Sequence, residues 1–115
     1  MTIDEFSKIE LRTAQILAAE RVPNSDKLVK LRLSLGATER TLVAGIGKAY
    51  APEALVGRTI VIVANLDQRT FKIKQADGST LELVSEGMLL AAHSADGAPI
   101  LLAVDGPAAP GSAVG

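Results

Sequence analysis

The sequence predicts a single all-β domain built around a small closed barrel. Apolar and polar residues alternate with the period of two that a half-buried strand requires, over residues 28–35 and again over 71–84. Clusters of Gly, Asn, Asp and Ser separate the alternating segments at short intervals. The chain has 115 residues, of which 48% are hydrophobic, so it is long enough for one core and too short for two.

The first third of the chain predicts a helical turn followed by three strands. Thr2 and Glu5 have the spacing of a capping box, which indicates a short N-terminal helix over residues 2–9. The three strands are apolar-rich segments separated by turn residues, and they cover 11–22, 28–35 and 40–46.

A short helix and a buried strand come next. Pro52 near its start and Gly57 just after its end favour a helix of one or two turns within residues 48–56. Residues 59–64 form a continuous β-branched run, which is typical of a strand buried on both faces.

The last third of the chain predicts an exposed hairpin and two short strands. Asp77 and Gly78 lie between two alternating segments, which indicates a β-hairpin over 71–84. Apolar strands follow at 88–92 and 100–104, and the Gly, Pro and Ala residues of the tail show no periodicity.

This order of elements is that of a five-stranded OB-fold barrel, with a short helix between strands 3 and 4. A helical turn precedes the barrel, a C-terminal extension follows it, and the hairpin is inserted in the loop between strands 4 and 5. Ligands of this fold bind at the loops joining strands 1 and 2 and strands 4 and 5. In this chain those loops are residues 23–27 and 65–87.

The chain offers few residues for catalysis. It has no cysteine and one histidine, His93, and a lone histidine is more often structural than catalytic. The segment 45–48 hints at a phosphate loop, but Leu42 and Ala49 stand where a Walker motif needs Gly and Ser or Thr. We therefore expect no enzyme, no cofactor and no metal site.

The net charge of −1 conceals an uneven distribution of charge. Residues 1–75 carry all 12 Lys and Arg with 8 acids, a net +4, whereas residues 76–115 carry 5 acids and no base, a net −5. One surface can therefore be positive on a nearly neutral protein. The N-terminus is acidic and no apolar run reaches the length of a bilayer span, so we expect a cytoplasmic protein without membrane contact.

Both predicted binding loops contain polar and basic residues. Loop 23–27 has Lys27 and basic neighbours that include Lys30, which would give a cationic barrel mouth. Equally, its Asn, Ser and Asp residues can be ordinary turn formers with local hydrogen bonds. Loop 65–87 contains Asn65, Arg69 and Ser85, whose types hydrogen-bond to sugars and phosphates.

Seven segments of the chain resemble, in the same order, one known family. They are TIDEF (2–6), KIELR (8–12), PNSDKL (23–28), VAGI (43–46), YAPEALVG (50–57), NL (65–66) and SEGMLLAA (85–92). The family is the tRNA-binding domain appended to the C-terminus of many bacterial methionyl-tRNA synthetases, found also as a free-standing structure-specific tRNA-binding protein.

The resemblance implies an OB-fold that binds tRNA by its shape, at the outer corner of the L, without catalysis. The implied tRNA contacts are Lys27, Asn65, Arg69, Ser85 and Met88. The two cations would pair with phosphates, Asn65 and Ser85 would bond sugar or phosphate oxygens, and Met88 would pack against a base or ribose. The resemblance further implies a homodimer, and methionyl-tRNA synthetase as a partner.

This chain departs from the family in the second loop. The family usually reads Asn-Leu-Lys-Pro-Arg-Lys there, whereas Asp67 and Gln68 replace the Lys and the Pro and the hairpin 71–84 is added. Lys72 and Lys74 on the hairpin could restore the lost positive charge, or the hairpin could partly cover the site.

Two further expectations concern partners. An apolar strand at 100–104 lies beyond a complete barrel, so we expect the N-terminal helix and residues 88–105 at a two-fold interface. The alternative function is a protein- or peptide-binding OB-fold module, either chaperone-like or part of a synthetase complex. The salt dependence of binding separates this alternative from tRNA binding, because phosphate contacts weaken steeply with ionic strength.

Overall fold

The computed structural model describes residues 1–115 and consists almost entirely of antiparallel strands. The elements are α1 Ile3–Phe6, β1 Leu11–Arg21, β2 Val29–Ser34, β3 Glu39–Ala44, a 3₁₀ turn Pro52–Ala54, β4 Thr59–Val63, β5 Arg69–Lys74, β6 Thr80–Ser85, β7 Met88–Leu89, β8 Ala91–His93, β9 Pro99–Leu101 and β10 Ala113–Val114. The main sheet has the order β3-β2-β1-β4-β7, and β10 adds to β1. Two small sheets, β5-β6 and β8-β9, stand beside it.

Strand β1 is the central strand of the barrel, and it pairs with a different strand along each half. Its first half, from Leu11 to Gln15, pairs with β4, and the stretch from Gln15 to Arg21 pairs with β2. The register with β2 shifts between Ile16 and Ala18. Such a bulge increases the local bend and twist, which lets one strand serve both sides of a curved sheet.

The barrel closes where the segment after β6 meets the free edge of β3. The Glu86 amide donates to the Thr41 carbonyl at 2.8 Å, and the Glu86 carboxylate accepts from the Thr41 amide at 3.0 Å. The chain then continues into β7, where Met88 pairs with Val63 of β4. This arrangement confirms the predicted OB-fold barrel, with the hairpin β5-β6 inserted between its fourth and fifth strands.

The core lies inside this barrel and follows the predicted alternation. Val29, Leu31 and Leu33 of β2 are fully buried, and β4 is buried along almost its whole length. Leu55, just after the 3₁₀ turn, is also fully buried and packs into the same cluster. The predicted helix over 48–56 is therefore reduced to a single 3₁₀ turn that supplies one core side chain.

The N-terminal helix begins as predicted and ends early. Thr2 and Glu5 form the full capping box, each side chain bonding the backbone amide of the other. Helix α1 stops at Phe6 rather than at residue 9, and none of its residues is buried. Short helices are marginal without packing, so a helix with no buried face has little to extend it.

The tail shows no periodicity in the sequence, yet it contains a short strand, β10. Strand β10 pairs antiparallel with the start of β1, with Leu11 opposite Val114. The buried Thr13 hydroxyl donates to the Ala109 carbonyl at 2.9 Å and accepts from the Ser112 amide at 3.0 Å. These pairings are hydrogen bonds between segments that are far apart in the sequence. Hydrophobic periodicity, which is a local pattern, does not predict them.

Two smaller differences complete the comparison. The predicted strand 88–92 is split at Leu90, whose amide donates to the Val61 carbonyl, into β7 and β8. The last predicted strand is shorter, and the Tyr50 hydroxyl accepts from the Leu101 amide at 3.1 Å. No helix in the structure has the length and apolar character needed to cross a bilayer.

Candidate nucleic-acid interface

A groove with a volume of about 450 Å³ lies where the two predicted binding loops meet. Strand β5 contributes Arg69 and Phe71, loop 23–27 contributes Lys27, and residues 88–91 line it from β7 and β8. The end of β3 and the residues after it, 43–46, complete the lining. The groove therefore brings together residues that are far apart in the sequence.

The lining is mostly apolar, and its ionisable residues are all bases. Lys27, Arg69 and His93 line the groove, and none of the other lining residues is acidic. A second cavity of about 410 Å³ shares Lys27 and Gly45 with it and adds Lys48 and Asp96. Lys27 thus stands at the junction of two adjoining cavities, where an anionic ligand is favoured.

Two glycines hold loop 23–27 against the barrel. A Cβ on Gly45 would lie 2.8 Å from Cε of Lys27, so the lysine stem passes directly over this glycine. A Cβ on Gly47 would lie 2.8 Å from the Lys27 carbonyl oxygen, which accepts from the Gly47 amide at 2.7 Å. The Gly-x-Gly segment that resembled a phosphate loop in the sequence is in fact the surface on which Lys27 rests.

An arginine ties the same loop to the barrel. The Arg21 guanidinium donates to the Gly47 carbonyl at 2.7 Å and reaches the Asp26 carbonyl at 3.4 Å. Within the loop, the Ser25 hydroxyl accepts from the Leu28 amide at 3.1 Å, as an ordinary turn residue does. Local turn bonding and a basic residue at the groove therefore coexist in this loop.

The hairpin β5-β6 presents two different faces. Arg69, Phe71 and Ile73 alternate with Lys72 and Lys74 along β5, so the two lysines point to the other face of the hairpin. The Arg69 guanidinium lies over the Phe71 ring, 4.5 Å from its centroid. Arg69 and Phe71 face the groove together, while the lysines face away from it.

The tip of the hairpin is fastened to loop 23–27. The Asn24 side-chain amide donates to the Lys74 carbonyl at 2.5 Å, and the Gln75 side-chain amide donates to the Pro23 carbonyl at 3.0 Å. Asn24 adopts a left-handed conformation, with φ of 63°, that asparagine tolerates better than most residues. The added hairpin therefore bridges the two binding loops and borders the groove.

The structure brings three of the predicted site residues together at the groove, namely Lys27, Arg69 and Met88. Met88 is 51% exposed, so its side chain is available for contact with a ligand. Lys30 lies elsewhere, in a separate cavity on β1 and β2, with its ammonium 3.8 Å from the Glu20 carboxylate. Lys72 is 3.8 Å from Glu82 on the outer face of the hairpin.

Asn65 and Ser85 have their polar groups engaged within the protein. The Asn65 side-chain oxygen accepts from the Glu10 backbone amide at 2.8 Å, and its side-chain nitrogen donates to the Lys8 carbonyl at 2.6 Å, which fastens the segment before β1. Ser85 is only 3% exposed, and its hydroxyl accepts from the Val43 amide at 3.0 Å and donates to the Gly87 carbonyl at 3.1 Å. Ser85 thus bonds a residue of the groove lining, whereas Asn65 lies in a separate cavity beside the segment before β1.

Two tight turns carry carboxylates with perturbed acidity. The hydroxyl of Ser79 donates to Asp77 at 2.5 Å and its amide donates at 2.9 Å, which lowers the pKa of Asp77 below its ordinary value of 3.8. In the same way, the Ser94 hydroxyl and the Ala98 amide lower the pKa of Asp96. Asp96 lines the second cavity and does not line the groove.

The chain matches one protein-family model over most of its length. A family model described as "Putative tRNA binding domain" matches residues 11–113. The chain belongs to this tRNA-binding domain family. It is 48% identical over 114 residues to a methionine–tRNA ligase of Thermotoga maritima, and the match covers 99% of the chain and 16% of that relative. The chain therefore spans about one sixth of the length of this curated relative.

Solved structures share the fold. A MetRS-related protein from Pyrococcus horikoshii superposes with a TM-score of 0.84 at 32% identity, covering 99% of this chain and 96% of that one. The chaperone CsaA from Bacillus anthracis superposes with a TM-score of 0.83 at 22% identity, covering 100% and 98%. The second likeness shows the fold alone.

Proposed function

We propose that this domain binds tRNA in the groove between loop 23–27 and the hairpin β5-β6, and that it has no catalytic role of its own. The observation that carries the proposal is that the barrel brings Lys27 and Arg69, from two separate loops, into one apolar groove without an acid. Membership of the tRNA-binding domain family supports the choice of tRNA among anionic partners.

The groove residues make two kinds of contact with tRNA, ionic and apolar. Lys27 and Arg69 pair with phosphates, and the guanidinium can hold one phosphate through two donors. Met88 packs its exposed side chain against a ribose or base. Ser85 acts as a positioning residue, because its hydroxyl bonds the Val43 amide in the groove lining. Asn65 lies outside the groove and holds the segment before β1.

Contacts of this kind favour recognition of shape over sequence. Phosphate contacts set the register of a protein on RNA but carry no base information. We propose that the domain acts in the cytoplasm on many tRNAs, either in trans or as one part of a methionyl-tRNA synthetase. The Thermotoga maritima relative, of which such a segment makes up 16%, supports the second arrangement.

We propose in addition that two copies of the chain associate. Ile100 of β9 is 50% exposed and Leu102 just after it is 39% exposed, and Met1 and Ile3 at the N-terminus are also exposed. Burying these side chains against a second copy would remove apolar surface from water. A homodimer would also present two grooves to one tRNA.

A titration of the protein with total tRNA at about 50 and 200 mM salt tests the function. If two phosphates are neutralised per groove, affinity falls about 10-fold between these salt concentrations. Lys27→Ala and Arg69→Ala should each weaken binding and flatten the salt dependence, whereas Lys72→Ala, which removes a charge from the outer face of the hairpin, should change little.

Two results would contradict the proposal. Binding that is indifferent to salt would point to apolar contacts, which is the behaviour expected of the peptide-binding alternative. Equal losses of tRNA affinity in Lys72→Ala and Arg69→Ala would mean that tRNA binds through the overall positive charge of the hairpin and not in the groove.

A further inference from the structure

We propose that the groove accepts one unstacked nucleotide of an RNA, whose base stacks on a plate formed by Arg69 and Phe71. The inference rests on the proposed function and adds a substrate class to it, namely RNA with an unpaired nucleotide. It is carried by the hairpin that distinguishes this chain's second loop from the usual pattern of the family.

The plate consists of two flat groups in contact. The guanidinium of Arg69 covers the ring of Phe71 at 4.5 Å, and both side chains line the groove. Guanidinium planes and aromatic rings are the groups on which proteins stack the unpaired bases of RNA. Phe71 is half-buried and so is held in a defined position.

The size and charge of the groove fit a nucleotide. Its volume of about 450 Å³ lies within the range of small-ligand sites, about 300–1,000 Å³, and is too small for a duplex. Its apolar lining can pack against the faces of a base, and the Lys27 ammonium can pair with the attached phosphate. The adjoining cavity, which shares Lys27 and is also lined by Lys48 and Asp96, opens beside the groove.

The plate is held in place at both ends of the hairpin. At its base, Arg69 pairs with Ser85, whose hydroxyl bonds β3 through the Val43 amide. At its tip, the Lys74 carbonyl accepts from the Asn24 side chain and the Gln75 side chain donates to the Pro23 carbonyl, and both bonds join the hairpin to loop 23–27. A stacking surface fixed before binding loses little conformational entropy when a base arrives.

The test uses two RNA probes of the same sequence in the stem. One is a stem–loop with a 2-aminopurine in its unpaired loop, and the other is the fully paired duplex without a loop. We expect the wild type to prefer the stem–loop and to change the fluorescence of its 2-aminopurine on binding. Phe71→Ala should weaken stem–loop binding about 5- to 150-fold and abolish the fluorescence change.

Two variants keep this test decisive. Phe71→Trp preserves a ring and should bind the stem–loop at least as well as the wild type. Ile73→Ala removes an apolar side chain from the same face of the same strand, outside the groove lining, and should stay within about 2-fold of the wild type.

The outcomes separate this inference from the function on which it rests. Wild-type affinity and fluorescence in Phe71→Ala, with tRNA binding that stays salt-sensitive, overturns the nucleotide site and leaves the function standing. Equal losses in Ile73→Ala and Phe71→Ala would mean that hairpin packing matters and stacking does not. A folded wild type that binds neither tRNA nor the stem–loop overturns both.

Discussion

Gly45→Ala tests how the fold places Lys27 at the groove without removing any charge. The backbone of Gly45 does not require glycine, because its φ lies outside the left-handed region. The added Cβ would stand 2.8 Å from Cε of Lys27, nearer than real side chains approach. The lysine must therefore leave its present rotamer, so its ammonium group shifts from its present position at the groove.

The size of the effect follows from Coulomb's law. If the ammonium moves from about 4 Å to about 7 Å from a phosphate, the attraction falls by about 0.4 kcal/mol in bulk water and by about 1.8 kcal/mol at an effective dielectric constant of 20. These limits correspond to about a 2- to 20-fold loss of tRNA affinity. The salt dependence should also flatten, by about the contribution of one phosphate.

A double-mutant cycle with Lys27→Ala makes the test specific. In the Lys27→Ala background, Gly45→Ala should have an effect of less than about 2-fold, because the group that it displaces is absent. Gly106→Ala is the matched control, since a Cβ there meets no atom within 4 Å. An equal loss in both backgrounds would refute the reasoning.

Three further predictions concern the stability of the fold, the acidity of Asp77 and the association of two chains. Gly111→Ala should lower the free energy of unfolding in urea by more than about 2 kcal/mol, because φ is +83° and the added Cβ would clash with the Leu35 carbonyl oxygen; a wild-type midpoint would contradict this. Ser79→Ala should raise the pKa of Asp77 toward 3.8 in an NMR titration, and an unchanged pKa would contradict it. The wild-type contribution of this turn to stability is present above pH 3.8 and is lost as the pH falls through the depressed pKa. In sedimentation equilibrium, the wild type should have twice the mass of one chain and Ile100→Asp should be a monomer; a monomeric wild type would contradict the proposed dimer.

The barrel could be predicted from sequence because its determinants are local. Alternation in β2, the β-branched run of β4 and the Asp77-Gly78 turn each specify an element without reference to the rest of the chain. The capping box of Thr2 and Glu5 likewise fixed the start of α1. Its end could not be predicted in the same way, since helix length depends on packing that α1 lacks.

The groove was only partly predictable because its parts come from distant segments. Lys27, Arg69 and Met88 were expected at a common site, and the structure brings them together. The engagement of Ser85 with Val43 and the role of Gly45 under Lys27 arise from barrel closure, which no local pattern encodes. The outward orientation of the hairpin lysines, by contrast, follows from strand alternation once the face of Phe71 is known.

Mapping tRNA onto the protein by NMR tests the central claim most directly. Amide signals of a ¹⁵N-labelled sample would be followed while total tRNA is added at low salt. We predict that the perturbed amides belong to residues that line the groove, namely Lys27, residues 43–46, Arg69, Phe71, residues 88–91 and His93. Perturbations confined to the outer face of β1 and β2 around Lys30, or none at saturating tRNA, would contradict the account.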